Sequence, residues 1–301
     1  MKQTATAGIL LALIATLIWS GNFIIARAIY ADIPPITLSL FRWATASLIL
    51  LPFSIQKTKT VWPIIRSNGG YFFWTSLTGI ALFNTFVYVA GHYTTATNMA
   101  LIGTTSSPIF AMLMAAVFLK EALSWQRILG VLLCISGIVL LITKASWYNL
   151  LHIHFSIGDV WILLAGLSFA IYNLLVRRKP AGISPIVFLF TIFSLGTLLL
   201  LPFSLLELQQ GGIVISSWKL WGMIAYLGLG TSVISFLCWN AAIERLGAVR
   251  TALFGNLIPI FSSIEALILL KESFTWLHAT SAALVLMGLF IANNFFKVKR
   301  A

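Results

Sequence analysis

The chain has 301 residues, of which 60% are hydrophobic and only 9% charged. A soluble protein carries about a quarter charged residues, so the composition excludes an ordinary water-soluble domain and points to the bilayer. The net charge of +12 does not indicate nucleic acid, because Lys and Arg lie in short gaps between apolar runs rather than on one face of a polar domain.

In chain order, apolar runs occupy roughly 7–29, 34–54, 71–92, 97–119, 126–143, 157–177, 184–205, 218–242, 248–270 and 275–296. Each is close to the roughly 20 residues a spanning helix needs. The first follows Lys2 and ends near "ARA", as a signal peptide would, but it is too long and more runs follow, so it reads as a retained span. Only helices or closed barrels satisfy the backbone in lipid, and continuous runs of this length are helices rather than alternating barrel strands. Placing both termini in the cytoplasm puts fourteen Lys and Arg on that side and five on the other, the bias that fixes orientation.

The connectors near 55–70, 144–156 and 206–217 leave no room for a nucleotide-binding domain, and no Gly-Lys-Ser/Thr phosphate loop occurs. An ATP-driven pump is therefore not expected. Cys134 and Cys238 sit inside apolar runs and suggest neither a disulfide nor a metal site. His152 and His154 lie two apart in a loop without further ligands nearby, so no metal or cofactor is expected.

The chain repeats itself. "PIFAMLMAAVFLKE" at 108–121 and "PIFSSIEALILLKE" at 259–272 share seven of fourteen residues at an offset of 151. Gly79 and Gly230, Trp125 and Trp276, and Gly137 and Gly288 keep that offset. Upstream it is 150: Arg27 matches Arg177, and "LPFS" at 51–54 recurs at 201–204. The fold class expected is all-α and membrane-embedded, with ten transmembrane helices in two five-helix repeats. The expected division is 1–143, a connecting loop 144–156, and 157–301. Because five is odd, the second copy enters the membrane from the other side, the inverted-repeat architecture of many secondary transporters. After each "KE", Ser124 and Thr275 are natural N-caps, Leu123 and Phe274 occupy the staple position before them, and Trp125 and Trp276 suit an interface belt. Glu121 and Glu272 can accept bonds from helix N-termini. Pro108 and Pro259 allow mid-span kinks.

These features resemble the drug/metabolite transporter superfamily, and within it the EamA-type permeases. "IWSGNFIIAR" at 18–27 resembles that family's first helix and "TLSLFRWATASLIL" at 37–50 its second, with Arg42 as its arginine. The resemblance covers essentially the whole chain. It implies ATP-independent metabolite transport, often export of amino acids, related metabolites or drugs. It also implies a cavity among helices one, three, four, six, eight and nine. Glu265, where the first repeat has Met114, departs from the symmetrical pattern.

Polar groups inside spans are costly and tend to face the bundle interior. Asn84, Tyr88 and His92 recur every four residues on one helix face, and Asn98 shares a face with Thr105. Asn256 is the repeat counterpart of Thr105, and Ser235 and Trp239 are those of Asn84 and Tyr88. Trp19, Asn22 and Phe23 lie at positions nearly matching Tyr172 and Asn173. The expected cavity lining is thus Trp19, Asn22, Asn84, Tyr88, Thr105, Tyr172, Asn173, Ser235, Trp239 and Asn256. The same residue types also glue membrane helices together at about 1 kcal/mol or less per bond. Glu265, His92 and Arg42 are candidates for coupling or ion pairing. Arg42, eight residues into its helix, can snorkel to the outer interface. Glu265 falls by helical phase roughly opposite Asn256, away from the cavity face.

The expected activity is secondary transport, as an exporter of amino acids or related compounds by alternating access, in the inner membrane, with both termini cytoplasmic. Expected partners are the substrate, the lipid and a coupling proton, with a monomer or homodimer and no nucleic acid. The alternatives are a membrane-embedded lipid-modifying enzyme or a flippase. Seven scattered acids supply no convergent catalytic set, so the chain reads as a non-enzyme.

Overall fold

The computed structural model describes residues 2–118, 125–148, 156–176, 178–210, 218–246, 251 and 254–292. Glu121, Ser124, His152, His154 and the side chains of Pro108 and Asn256 lie outside the described residues. The described chain is helical: α1 Lys2–Ala28, α2 Pro35–Ser67, α3 Gly69–Ala90, α4 Ala96–Phe118, α5 Trp125–Thr143, α6 Ile157–Val176, α7 Pro185–Gln210, α8 residues 218–246, α9 residues 255–270 and α10 Trp276–Ala292. Six of these, α1, α2, α3, α6, α7 and α8, are long and apolar enough to cross a membrane. The chain is a multi-pass membrane protein.

Three helices are irregular. α3 contains a π segment at Leu77–Leu82, and α8 another at Tyr226–Ile234. α9 opens with a 3-10 turn at Gly255–Leu257 and closes with a π segment at Ala266–Leu270. The connector expected at 55–70 is instead a helical extension of α2, which continues through Pro52 and Pro63 to Ser67. It breaks at Asn68, whose amide nitrogen Nδ2 donates to the Ile64 carbonyl at 2.9 Å. α3 begins at the next residue.

Caps fix where helices start. Ser156 and Asp159 form a reciprocal capping box on α6, with both backbone-to-side-chain bonds at 3.1 Å. Thr275 does not cap alone. Its N–H donates to His278 Nδ1 at 3.0 Å, and its hydroxyl lies 2.9 Å from the same nitrogen. Two further N-termini are capped from another helix. Glu207 of α7 accepts from the Ile36 and Thr37 N–H groups of α2 at 3.1 and 2.7 Å, and from the Thr37 hydroxyl at 2.8 Å. Glu272, just past α9, accepts from the Ala96 and Thr97 N–H groups of α4 at 2.9 and 3.3 Å, and from the Thr97 hydroxyl at 3.0 Å. A carboxylate satisfies otherwise orphaned donors there and meets the positive end of the helix dipole.

The neighbours are ordered. α1 packs on α8 and α9, and α6 on α3 and α4; α2 pairs with α7, α4 with α9 and α5 with α10; α2 also meets α8, and α7 meets α3. One buried cluster surrounds α1, α3, α4 and α6, including Phe23, Val87, Met99, Ile102 and Ile162. A second joins α2 and α7, where the Trp43 and Phe193 rings lie 4.6 Å apart. Lipid gives apolar side chains no drive to associate, so close backbone approach matters more. At the α5–α10 crossing, a Cβ on Gly137 would lie 2.9 Å from the Ser281 carbonyl oxygen, and one on Gly288 2.5 Å from that of Gly130. Trp125, Trp218 and Trp276 open α5, α8 and α10 at 71, 92 and 66% exposure, as interface anchors do.

Candidate functional site

Four helices bring five polar side chains together around Arg42. Asn22 comes from α1, Arg42 from α2, Asn84 and Tyr88 from α3, and Ser232 from the π segment of α8. All five are buried, Arg42 to 3% exposure. Arg42 Nη1 donates to Asn22 Oδ1 at 2.6 Å, to Asn84 Oδ1 at 2.7 Å and to the Tyr88 hydroxyl at 3.0 Å. Nε donates to Ser232 Oγ at 2.9 Å. The Tyr88 hydroxyl also donates to Asn22 Oδ1 at 3.2 Å. The guanidinium carbon lies 4.6 Å from the centre of the Trp43 ring.

Arg42 therefore does not snorkel. It is the hub of the cluster, because α1, α3 and α8 each turn an oxygen toward it. Three oxygens aim at Nη1, which has two hydrogens, so one of those bonds is shared. No carboxylate stands within ion-pairing distance of Arg42 among the described residues. Its charge is met by neutral dipoles alone. Burying an ion costs several kcal/mol after relaxation, and hydrogen bonds to a charged group return about 1.5–3 kcal/mol each.

Beside this cluster, Trp19 lies 5.1 Å from Trp239 and 5.5 Å from Phe236, ring centre to centre. Trp19 Nε1 donates to the Thr231 carbonyl at 2.9 Å. The aromatic pair thus joins α1 to α8 one turn from Asn22.

Two stretches, residues 6–143 and 156–294, match one family model, the EamA-like transporter family. The chain belongs to that family. It is 25% identical over 280 residues to "Uncharacterized transporter YyaM" of Bacillus subtilis, covering 93% of this chain and 91% of that protein. It is 25% identical over 300 residues to the "Probable amino-acid metabolite efflux pump" of Salmonella typhimurium, covering 96% of each. It is 26% identical over 188 residues to the "Probable terminal-alkyne amino-acid exporter" of Streptantibioticus cattleyicolor, covering 62% of this chain and 61% of that one. Among solved structures, a crystal structure that matches with a TM-score of 0.62 at 19% identity, over 95% of this chain and 96% of the other, supports the fold. These relatives are named as transporters, exporters or efflux pumps.

The remaining expected lining of this EamA-like chain is dispersed. Thr105 and Ser235 are buried, and their hydroxyls donate to the Leu101 and Gly230 carbonyls of their own helices at 2.6 and 3.0 Å. Tyr172 is buried in the α2–α7 cluster, with its ring on Phe169 and against the bare backbone of Gly79. Asn173 is partly exposed on α6. His92 follows α3 in a turn, 5.4 Å from the Tyr30 ring. Burial pushes its imidazole below the ordinary 6.5; the Glu207 charge opposes that and Arg27 adds to it.

Glu265 faces α1, not away from the bundle. Its Oε1 accepts from the Ser20 hydroxyl at 2.7 Å. Phase counted from Asn256 does not say where α1 sits, and α1 packs on the face of α9 that carries Glu265. Glu265 Oε2 is buried and has no hydrogen-bond partner among the described residues, and the same holds for Ser262 Oγ one turn earlier. Sequence reasoning missed Glu207 and Ser232 as partners. Neither carries a local signal, since each acts on a helix far away in the chain.

Proposed function

We propose that the chain is a secondary transporter that exports small carboxylate-bearing metabolites of amino-acid type. It would work by alternating access between two inverted five-helix repeats, with both termini in the cytoplasm. One observation carries the substrate class. The guanidinium of Arg42 is buried between α1, α2, α3 and α8, with neutral partners only among the described residues. A substrate carboxylate offers that charge the bidentate partner it lacks, and Trp19 with Trp239 offers a flat apolar wall for a side chain. The names given to the Salmonella and Streptantibioticus relatives point the same way.

The repeat reading has its own support. Exchanging each helix for the one five places away carries several neighbour pairs onto others: α1 with α8 becomes α6 with α3, α1 with α9 becomes α6 with α4, and α2 with α8 becomes α7 with α3. The pairs α2–α7, α4–α9 and α5–α10 map onto themselves, as pairs astride a two-fold axis do. The excess of Lys and Arg in the intended cytoplasmic loops supports the orientation.

The test is counterflow in proteoliposomes with a panel of labelled L-amino acids, each paired with its amide. Exchange of acids but not of their amides is expected. Exchange of neither, or equal exchange of both, overturns this substrate class.

A further inference from the structure

Helix α1 carries two polar contacts that point different ways. Asn22 meets Arg42, and Ser20, two residues earlier, meets Glu265 of α9. The second contact is a small polar group in its own right. Ser20 and Ser262 are fully buried. The Ser20 hydroxyl lies 2.7 Å from one carboxylate oxygen and 2.6 Å from the Leu17 carbonyl, so its one hydrogen serves both positions, while the other oxygen and the Ser262 hydroxyl have no partner among the described residues. No cation stands within ion-pairing distance of Glu265 among those residues.

The repeat supplies a control. At offset 150, Ser20 corresponds to Ala170; at offset 151, Ser262 and Glu265 correspond to Ala111 and Met114. The sister half has Ala, Ala and Met at the matching positions, so the polar trio is particular to one repeat.

The geometry points to Glu265, with Ser20 and Ser262, as a proton-binding site that couples transport to the pH gradient. This rests on the transporter reading above and adds its driving ion. The carboxyl group holds one proton in the conformation described. Release leaves a carboxylate that draws Ser20 closer, since charge-assisted bonds are shorter and stronger. α1 is shared with the Arg42 cluster, so the two sites bias the same element. One proton crosses in one direction as substrate crosses in the other. Coupling needs such a difference in affinity between two states.

The groups around the site leave that role to Glu265. α4, which packs on α9, carries no titratable side chain from 96 to 118. On α1 the nearest charge is Arg27, two turns away, where it donates to the Gly91 carbonyl at 2.9 Å. From α8, Tyr226 lies within electrostatic reach of both Glu265 and Arg42, and its hydroxyl donates to the Ile18 carbonyl at 2.8 Å. On the chain beyond α9, Lys271 is exposed and Glu272 is committed to the α4 N-terminus.

The test uses the full chain in liposomes and, in its first two arms, no substrate. A hydrophobic carbodiimide, which reacts with the protonated carboxyl group, is applied across a pH series, and Glu265 is read by mass spectrometry. The infrared carbonyl band of a protonated acid is followed in parallel, with E265Q as the blank. The expected result is labelling and a band that vanish together in one step as pH rises, with the step displaced in S20A. Absence of both signals at every pH, signals that do not change with pH, or loss of labelling on adding sodium ions at constant pH overturns the proposal. In the third arm, flux of whatever the amino-acid panel identifies loses its response to an imposed pH gradient in E265Q; a retained response also overturns it. Failure of the panel with intact titration would strike the substrate class and leave the proton site standing.

Discussion

Lys271 and Glu272 divide one task between them. Lys271 adopts the left-handed backbone, with φ of 54° and ψ of 31°, and ends α9. That turn lets the Glu272 N–H bond back to the Ala266 carbonyl at 3.2 Å and delivers the Glu272 carboxylate to the start of α4. The repeated "KE" thus reads, in its second copy, as a helix terminator followed by a cap for a different helix.

Lys271→Gly should stabilise the chain by about 1 kcal/mol, because glycine adopts this conformation without the Cβ penalty. Glu272→Gln should destabilise it by about 1 kcal/mol through loss of charge at the α4 N-terminus. Thermal unfolding in detergent measures both, and equal behaviour of the two variants would contradict the division of roles.

Arg42→Gln should abolish carboxylate exchange. It removes the charge and leaves the oxygens of Asn22, Asn84 and Tyr88 short of a donor, at about 1–3 kcal/mol for each buried group left unsatisfied. Arg42→Lys keeps the charge but loses the fork. It should weaken apparent substrate affinity by about 2–5 kcal/mol, the cost of disturbing one member of a buried charge pair. Direct binding measurements on the purified protein test this without transport.

Gly288→Ala should destabilise the chain by about 1–3 kcal/mol, the usual penalty of overpacking. The added methyl would meet the backbone and Cys134 of α5. Gly222→Ala, where nothing lies within 4 Å, is the matched control and should be neutral or slightly stabilising in unfolding assays.

His92 makes the turn after α3 sensitive to acid. Its value in the fold lies below the ordinary 6.5, so the fold favours the neutral ring. Stability from this group is full above that ordinary value and declines as pH falls through it, since the unfolded chain then takes up the proton more readily. His92→Gln should flatten that part of a melting-temperature-against-pH curve, and an unchanged slope would assign the acid response elsewhere.

The helices were legible because the apolar runs are long and unbroken, and the amide face of α3 because Asn84 and Tyr88 keep a spacing of four. Arg42 was misplaced because its distance from the helix start suggests reach to the interface, whereas burial is set by α1, α3 and α8, which the local sequence does not mention. Glu265 was misplaced because the face of α9 that meets α1 is set by packing across 245 residues, which local spacing does not carry. Tyr172 matched its counterparts by position yet fills the space left by Gly79, a contact across 93 residues. Glu207 was overlooked since a carboxylate at a helix end reads as a solvated charge until its distant acceptor role is seen.

The π segments of α3 and α8 have a consequence for how this sequence tolerates change. A π turn accommodates a residue that a regular helix has no place for. Loss of one codon within 226–234 would let α8 close into an ordinary spiral while the helix on either side keeps its bearing. Trp239 would stay beside Trp19, because the wide turn absorbs the missing residue. The same loss in a regular stretch of helix would swing everything beyond it by about 100°, so these two segments are where the chain best survives a deletion.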